Sequence, residues 1–153
     1  MLLIKRFILV SIPKIVLYFL LFHLLTGCAG MTIKDYEPVS PDEAAIQETL
    51  FSFQNGWNQQ KKDSLLLLLD DDFIIWEGDE KERNILLTKA RFGFYIRDLW
   101  RRIRFVNMGK PDFWFDGSKA TVFLPISMDG RNVRTKFRLI KKNDKWLLTD
   151  WEI

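Results

Sequence analysis

Few residues of this sequence can support nucleophilic or metal-dependent chemistry. The 153-residue chain holds one cysteine, Cys28, and one histidine, His23, which lies in an apolar run just before that cysteine. If the segment before Cys28 is removed, no imidazole remains in the chain. This loss would exclude Ser-His-Asp and Cys-His nucleophilic systems and most zinc sites, which draw on His or Cys ligands. We therefore expect no metal site and no cofactor.

The thiol of Cys28 has a specific sequence context. Lys5 and Arg6 give the chain a basic start, and the apolar run 15–25 is shorter than the roughly 20 residues that span a bilayer. Leu25-Thr26-Gly27-Cys28 then resembles the lipobox of bacterial lipoproteins, in which small residues fit the signal peptidase and the thiol accepts diacylglycerol. We expect cleavage before Cys28 and lipidation of its thiol. The alternative is an uncleaved signal anchor with an incidental cysteine.

Lipidation would place the mature chain on a membrane in an extracytoplasmic space. A lipid anchor with an acylated amine supplies more than one acyl chain, which is enough for stable attachment. Ala29 stands where an Asp would favour inner-membrane retention, so we expect the outer membrane in a cell that has one. The sequence thus divides into a signal peptide at 1–27, a lipidated cysteine and tether at 28–39, and one domain at 40–153.

The charge of the chain argues against nucleic acid as a partner. The formal net charge is +3, and residues 1–27 carry three basic residues, Lys5, Arg6 and Lys14, with no acidic one. The rest of the chain is therefore balanced, whereas a nucleic-acid-binding domain needs a basic surface. The run Arg101-Arg102-Ile103-Arg104 is better explained as the solvated end of a helix, where cations suit the helix dipole.

Periodicity and turn residues predict an α+β domain. Ser40-Pro41 with Glu43 is typical of a helix start, and apolar residues follow at helical spacing as far as Trp57. A second helix is predicted at Ser64–Leu69, ended by Asp70-Asp71-Asp72, and a third at Ile85–Arg102. Strands are predicted at Phe73–Trp76, Phe105–Gly109, Asp112–Asp116, Lys119–Met128, Asn132–Lys142 and Lys145–Glu152. Asp116-Gly117 and Asp129-Gly130 are predicted as hairpin turns, and Asn143-Asp144 is a weaker signal for a third.

Three short motifs make the order of these elements recognisable. They are Trp57-Asn58, the run Leu68 to Phe73, and Asp144-Lys145-Trp146-Leu147-Leu148. Together they resemble the nuclear transport factor 2-like superfamily, which includes SnoaL-type cyclases and ketosteroid isomerases. The resemblance covers Ser40 to Ile153. It implies a curved antiparallel sheet wrapped around about three N-terminal helices, with a pocket at the wide end of a cone.

The resemblance also implies where a site would lie, and it leaves the chemistry open. Catalytic members place Asp, His, Tyr or Arg in the pocket, but no complete set matches here, and many relatives are non-catalytic binding or assembly modules. If Trp146 points into the cone, Asp150 projects towards its mouth, where aromatic walls would raise its pKa and suit a general base. The alternative is a solvated or ion-paired carboxylate. The expected pocket lining is Trp57, Phe92, Trp114, Trp146 and Asp150.

Large apolar residues on both faces of the predicted sheet suggest a partner. A sheet with one wet face shows a cleaner alternation of polar and apolar residues. If the strands alternate regularly, the face opposite Trp146 presents Phe123, Ile140, Leu147, Trp151 and Ile153. This face is a candidate interface with a second copy or another envelope protein, unless the tether covers it.

Three functions remain open from the sequence. The first is a membrane-anchored lipoprotein whose non-catalytic cone domain binds a partner or itself. The second is a periplasmic binder of a small apolar ligand, suggested by the aromatic content of 14%. The third is an isomerase or dehydratase that uses Asp150 as its base, which rests on family analogy alone.

Overall fold

A computed structural model describes residues 31–77 and 84–153 of the chain. Cys28 and the cleavage motif Leu25, Thr26 and Gly27 lie outside the described residues, as does the segment 78–83. No helix in the described ranges is both long and apolar enough to cross a membrane. A short 3-10 helix (Ile33–Asp35) is followed by three α-helices, α1 (Pro41–Asn58), α2 (Lys62–Leu66) and α3 (Lys89–Arg102). The strands are β1 (Leu69–Glu77), β2 (Asn84–Thr88), β3 (Val106–Met108), β4 (Asp112–Asp116), β5 (Lys119–Met128), β6 (Arg131–Lys142) and β7 (Lys145–Glu152).

The start of α1 is set by its capping residue. The Oγ of Ser40 accepts a hydrogen bond from the backbone N–H of Glu43 at 3.1 Å, as the sequence predicts. The Glu43 carboxylate does not accept a hydrogen bond from the backbone N–H of Ser40, as a capping box would require. It accepts from the N–H of Val39 at 3.0 Å and from the hydroxyl of Tyr36 at 2.7 Å. The same bond raises the pKa of Tyr36 to about 12, because the hydroxyl proton is held by the carboxylate. Glu43 therefore fixes the chain that leads into the helix.

The structure corrects two boundaries near the first strand. The predicted second helix ends at Leu66, and Asp70, Asp71 and Asp72 lie within β1 instead of ending a helix. The predicted third helix begins at Lys89, because residues 84–88 form β2 and pair antiparallel with β1. Short apolar runs do not distinguish helix from strand by periodicity alone, and here the pairing with β1 decides.

The remaining strands and turns agree with the sequence. Strands β4, β5 and β7 have the predicted bounds, and β3 and β6 differ at their ends by one residue. The hairpin turns use backbone conformations with positive φ at Gly117, at Asp129-Gly130 and at Asn143-Asp144. These residue types adopt positive φ at low cost, which is why they predicted the turns.

The strands form one seven-stranded sheet in the order β2-β1-β7-β6-β5-β3, and β4 also pairs with β5. The predicted α+β fold with a curved sheet around three helices is confirmed. All strand pairs are antiparallel except β1 and β7, which run parallel, so the sheet is mixed. Strand β7 therefore lies at the centre of the sheet, between β1 and β6.

The helices pack on one face of the sheet, which we call the inner face, and the core between them is aromatic. Trp57 of α1 is fully buried and its ring lies 6.3 Å from Phe92, 6.5 Å from Trp100 and 5.9 Å from Trp151. Its indole N–H donates to the carbonyl of Ile103 at 3.0 Å. Phe53 also packs edge-on against Trp151, at 5.6 Å. The inside of the cone is filled by interlocking rings.

The placement of Trp151 corrects the assumption of regular alternation in β7. The register between β6 and β7 shifts after the pair Leu139–Leu148, so that Arg138 pairs with Asp150. One extra residue, Thr149, is accommodated there, as in a β-bulge. Beyond it Trp151 is only 1% exposed and faces the core, whereas Trp151 was expected on the opposite face.

Replacing Trp151 by Ala should destabilise the fold by about 3–5 kcal/mol, because it removes a fully packed indole and leaves a cavity among the aromatic rings. Urea unfolding followed by circular dichroism measures the change. The control is Trp114→Ala, which removes an indole that is 67% exposed and should change the free energy of unfolding by only about 0.5 kcal/mol. Equal losses in the two variants would contradict the placement of Trp151.

Candidate functional site

The face of the sheet away from the helices carries most of the described side chains with functional potential. We call it the outer face. Burial alternates along β5 and β6, so one residue in two on each strand points away from the core. The register of the strands brings the following residues together on it: Asp112, Trp114, Asp116, Lys119, Thr121, Phe123, Arg134, Lys136, Arg138, Ile140, Leu147, Asp150 and Glu152.

Asp150 lies on this face and not inside the cone. Its carboxylate accepts hydrogen bonds from the indole N–H of Trp76 at 2.7 Å and from the hydroxyl of Thr149 at 2.8 Å. Arg138 lies 3.6 Å from the same carboxylate. The expectation that Asp150 projects into an aromatic cone mouth is wrong, because the bulge at Thr149 places the Asp150 side chain on the opposite face of the sheet. Asp150 is an ion-paired carboxylate, which was the alternative interpretation of the sequence.

Charged side chains next to Asp150 continue an ion-pair row along the outer face. Lys136 lies 2.8 Å from Glu152, and both side chains are largely buried, at 11% and 14% exposure. Arg138 lies between the two acids, 3.8 Å from Glu152. The ammonium of Lys136 also lies 5.8 Å from the ring centre of Phe123, a distance at which cations are attracted to aromatic faces. The row is therefore supported from within the chain.

Two grooves flank Trp114 on the outer face. The first has a volume of about 520 Å³ and lies between Trp114, Lys119, Arg138 and the acidic residue Asp70. The second has a volume of about 530 Å³, with Phe123 on its wall. Trp114 belongs to both grooves, and its side chain is 67% exposed. A large exposed indole between two concave surfaces is typical of an interaction site.

The first groove also contains an ion pair in which only the carboxylate is buried. Asp70 is 5% exposed at its side chain, and Lys142 lies 2.6 Å from its carboxylate. The hydrogen bond from Lys142 lowers the pKa of Asp70, and burial opposes this effect more weakly. The same bond raises the pKa of Lys142. The pair holds β1 against the end of β6 at the edge of the groove.

The predicted pocket-lining residues do not form one pocket. Trp57 and Phe92 are fully buried and belong to the core. Trp146 is 3% exposed, and its indole N–H donates to Asp42 at 3.1 Å. Trp114 and Asp150 lie on the outer face, where both line the first groove. The cone thus contains core packing where the resemblance implied a pocket.

The predicted interface residues are placed more consistently. Phe123, Ile140 and Leu147 lie half-buried on the outer face, as expected, and Ile153 is 39% exposed beside the second groove. Only Trp151 leaves this set. Within residues 31–77 and 84–153, no three acidic, histidine or cysteine side chains are grouped so that they could hold a metal ion.

Sequence reasoning did not identify Trp76 and Arg138 as partners of Asp150, or Lys142 as the partner of Asp70. Trp76 is 74 positions from Asp150 along the chain, and Lys142 is 72 positions from Asp70. The parallel pairing of β1 with β7 creates the first contact. No local motif signals such a pairing.

Comparison with known proteins supports the fold. No protein-family model and no curated protein matches the chain. Solved structures do: an NTF2-like protein of unknown function from Shewanella baltica aligns with a TM-score of 0.61 and 13% identity, covering 76% of this chain and 95% of that one. A protein of unknown function with a cystatin-like fold from Nostoc punctiforme aligns with a TM-score of 0.61 and 15% identity, covering 77% of this chain and 93% of that one.

A third solved structure is named for an activity. It is a proposed ketosteroid isomerase from Shewanella frigidimarina, with a TM-score of 0.55 and 11% identity, covering 71% of this chain and 93% of that one. At such identities the likeness shows the fold alone. The NTF2-like, cystatin-like fold of the domain is thereby established, and its activity has to be argued from its own residues.

Replacing Asp70 by Asn should destabilise the protein by about 1–3 kcal/mol at pH 7, because a buried carboxylate that accepts a charged hydrogen bond is lost. The folded pKa of Asp70 lies below its unfolded value, so this stability is complete above about pH 5 and is lost as the pH falls through the folded pKa.

Urea unfolding from pH 7 down to pH 2.5 should show the difference between wild type and Asp70→Asn shrinking at the acid end. The matched control is Asp71→Asn, since the neighbouring side chain is 98% exposed and should change the free energy by only about 0.5 kcal/mol. A difference for Asp70→Asn that stays constant down to pH 2.5 would contradict the ion pair.

Proposed function

We propose that this protein is a membrane-anchored extracytoplasmic lipoprotein whose non-catalytic cone domain associates with a second copy through the outer face. The observation that carries the proposal is the contrast between the two sides of the sheet. On the inner side, interlocking aromatic rings occupy the cone. On the outer side, an exposed indole stands between two grooves.

The filled interior supports a non-catalytic role. A catalytic cone needs an enclosed space in which a substrate meets an acid or base. Here Phe53, Trp57 and Phe137 surround Trp151 with ring centres 5.5 to 5.9 Å away. Asp150, the carboxylate considered as a base, is bound by Trp76 and Arg138 on the outer face. An isomerase or dehydratase based on Asp150 in the cone therefore has no geometric support.

The charges of the outer face favour a second copy over a strongly charged partner. Of the thirteen outer-face residues named above, four are acidic and four are basic, and the first groove adds Asp70, Asp72 and Lys142, so the two signs are nearly balanced and interspersed. In a two-fold symmetric dimer each copy presents the same surface, which must complement itself. A balanced face meets that condition. Its acidic members are Asp112, Asp116, Asp150 and Glu152, and its basic members are Lys119, Arg134, Lys136 and Arg138.

Trp114 supplies a specific contact for such a dimer. Buried aromatic anchors contribute much of the binding energy at protein interfaces. Each groove beside Trp114 has a volume of about 520 to 530 Å³, which is large enough to accept an indole. A symmetric arrangement places the Trp114 side chain of each copy into a groove of the other. Phe123, Ile140 and Leu147 add apolar area around it.

The membrane anchor is supported by the sequence alone. The motif Leu25-Thr26-Gly27-Cys28 and the basic, apolar segment before it are the grounds for lipidation. From residue 32 onward the predicted tether 28–39 packs on the domain, because Ile33 is fully buried and Gln47 donates to the carbonyls of Ile33 and Tyr36. This leaves residues 28–31 as the tether and keeps the domain within about 15 Å of the membrane surface. Anchoring to one surface raises the effective concentration of the copies, so a modest interface is sufficient for association.

A small-molecule ligand is the second candidate function. The filled cone gives no support for an apolar ligand inside it. The first groove has aromatic and charged walls of the kind found in ligand sites. A small-molecule ligand would therefore bind on the outer face. A ligand there would compete with a second copy for Trp114.

Replacing Trp114 by Glu should convert a dimer into a monomer, because a charge would occupy the centre of the proposed interface. Light scattering on the purified full chain in detergent, with the detergent mass subtracted, measures the change. The matched control is Phe94→Glu, which alters another exposed aromatic residue, 84% exposed on α3 and away from the outer face. The proposal fails if wild type is monomeric at high concentration or if both variants remain dimeric.

Replacing Cys28 by Ala should abolish lipidation and leave an unprocessed precursor, because the thiol is the acceptor of diacylglycerol. Mass spectrometry of the purified protein checks for the acyl groups and for the loss of residues 1–27. Lys34→Ala, an exposed change in the 3-10 helix that follows the tether, is the control and should leave both modifications in place. A wild-type chain that keeps residues 1–27 and carries no acyl group would overturn the anchor.

A further inference from the structure

A basic pocket lies where the ends of α1 and α3 meet, away from the outer face. It has a volume of about 720 Å³, and its wall includes Gln60, Arg97, Trp100, Arg101 and Arg104. Arg97 and Arg101 are one helical turn apart on α3, so their side chains point in similar directions. Three guanidinium groups therefore line one concave surface.

Trp100 in the wall of this pocket has an unsatisfied hydrogen-bond donor. Its side chain belongs to a residue only 8% exposed, and its indole N–H has no acceptor among the described residues. The other buried or half-buried tryptophans all donate to an oxygen: Trp57 to Ile103, Trp76 to Asp150, Trp146 to Asp42 and Trp151 to Thr135. Buried donors without acceptors cost free energy and are rare in folded proteins.

The positive charge of the pocket is poorly neutralised by the protein. Arg97 and Arg104 have no carboxylate partner within the described part of the chain. Arg101 lies 3.2 Å from Asp98, but the two side chains are 82% and 58% exposed, so this ion pair is weak. Asp129 is the other nearby acid. Its two oxygens already accept the backbone N–H groups of Arg104 and Phe105, at 2.8 and 3.1 Å.

A structural role explains only part of this arrangement. Cations in the last turn of a helix offset its dipole, and Arg101 and Arg102 occupy that turn of α3. The dipole does not account for Arg97, one turn earlier, or for Arg104, which lies beyond the helix. It also provides no acceptor for the indole N–H of Trp100.

We propose that this pocket binds a phosphate-class oxyanion, held by the guanidinium groups of Arg97 and Arg104 and by the indole N–H of Trp100. Guanidinium groups match the geometry of phosphate oxygens with paired N–H donors, and such charged hydrogen bonds are strong. The indole nitrogen is covered by neighbouring atoms, so the side chains around it must shift when the anion enters. The anion is either the headgroup of an anionic lipid or a soluble phosphate.

The indole N–H of Trp100 is a local probe for this site. The full chain, labelled with ¹⁵N and held in non-ionic detergent, gives one indole signal for each tryptophan, and Trp100→Phe identifies the signal of Trp100. Inorganic phosphate is titrated against chloride at equal ionic strength. In a parallel series the detergent is doped with phosphatidylglycerol or, as the neutral comparison, with phosphatidylcholine.

We expect the Trp100 signal to move with phosphate or with phosphatidylglycerol and to stay in place with chloride and phosphatidylcholine. In the double variant Arg97→Gln/Arg104→Gln the apparent affinity should fall by about tenfold or more, because two charged contacts are lost. The charge-matched control is Lys110→Gln/Lys145→Gln, which removes two exposed cations away from the pocket and should bind as wild type does.

Each outcome of this experiment bears on the proposal. Movement with soluble phosphate identifies a phosphate site, and movement with phosphatidylglycerol alone identifies a lipid-headgroup site. A signal that moves in neither series overturns the proposal. Equal weakening in the two double variants also overturns it, since the effect would then come from net charge and not from this pocket. Neither result depends on association through Trp114.

Discussion

The bulge between Leu148 and Asp150 in β7 determines what each side of the sheet can do. One extra residue reverses the alternation of the strand, and a strand with period two cannot reverse its faces in any other way without leaving the sheet. Trp151 thereby joins Trp57 and Phe53 in the core. Asp150 and Glu152 lie on the outer face, where Asp150 pairs with Arg138 and Glu152 pairs with Lys136. The aromatic interior and the ion-pair row are two results of a single irregularity.

The two sides of the sheet are stabilised by different interactions. The interior has the close packing of large rings, each tryptophan donor except that of Trp100 being satisfied, and such an interior is rigid. The outer face consists of largely buried ion pairs, two grooves and the exposed indole of Trp114. In folds of this type the curved sheet can enclose a ligand. Here the volume that a ligand would need is occupied by Trp57, Phe92 and Trp151.

The sequence predicted the elements of this domain better than its contacts. Strands β4, β5 and β7 were predicted with their observed bounds because alternation and turns such as Asp116-Gly117 are local signals. Strand β2 was missed because the run Ile85-Leu86-Leu87 fits helix or strand, and only pairing with β1 decides. The face of Trp151 was predicted wrongly because a bulge leaves no mark on local hydrophobicity. The partner of Asp150, Trp76, depends on a parallel pairing between strands far apart along the chain.

The central position of β7 also constrains when the domain can fold. This strand is the last along the chain, yet it joins β1 to β6 and supplies Trp151 to the core. The sheet therefore cannot close until residues 145–152 are available, and contacts of such long sequence separation form slowly. If the chain is exported, as we propose, this delay would keep it in a state competent for translocation.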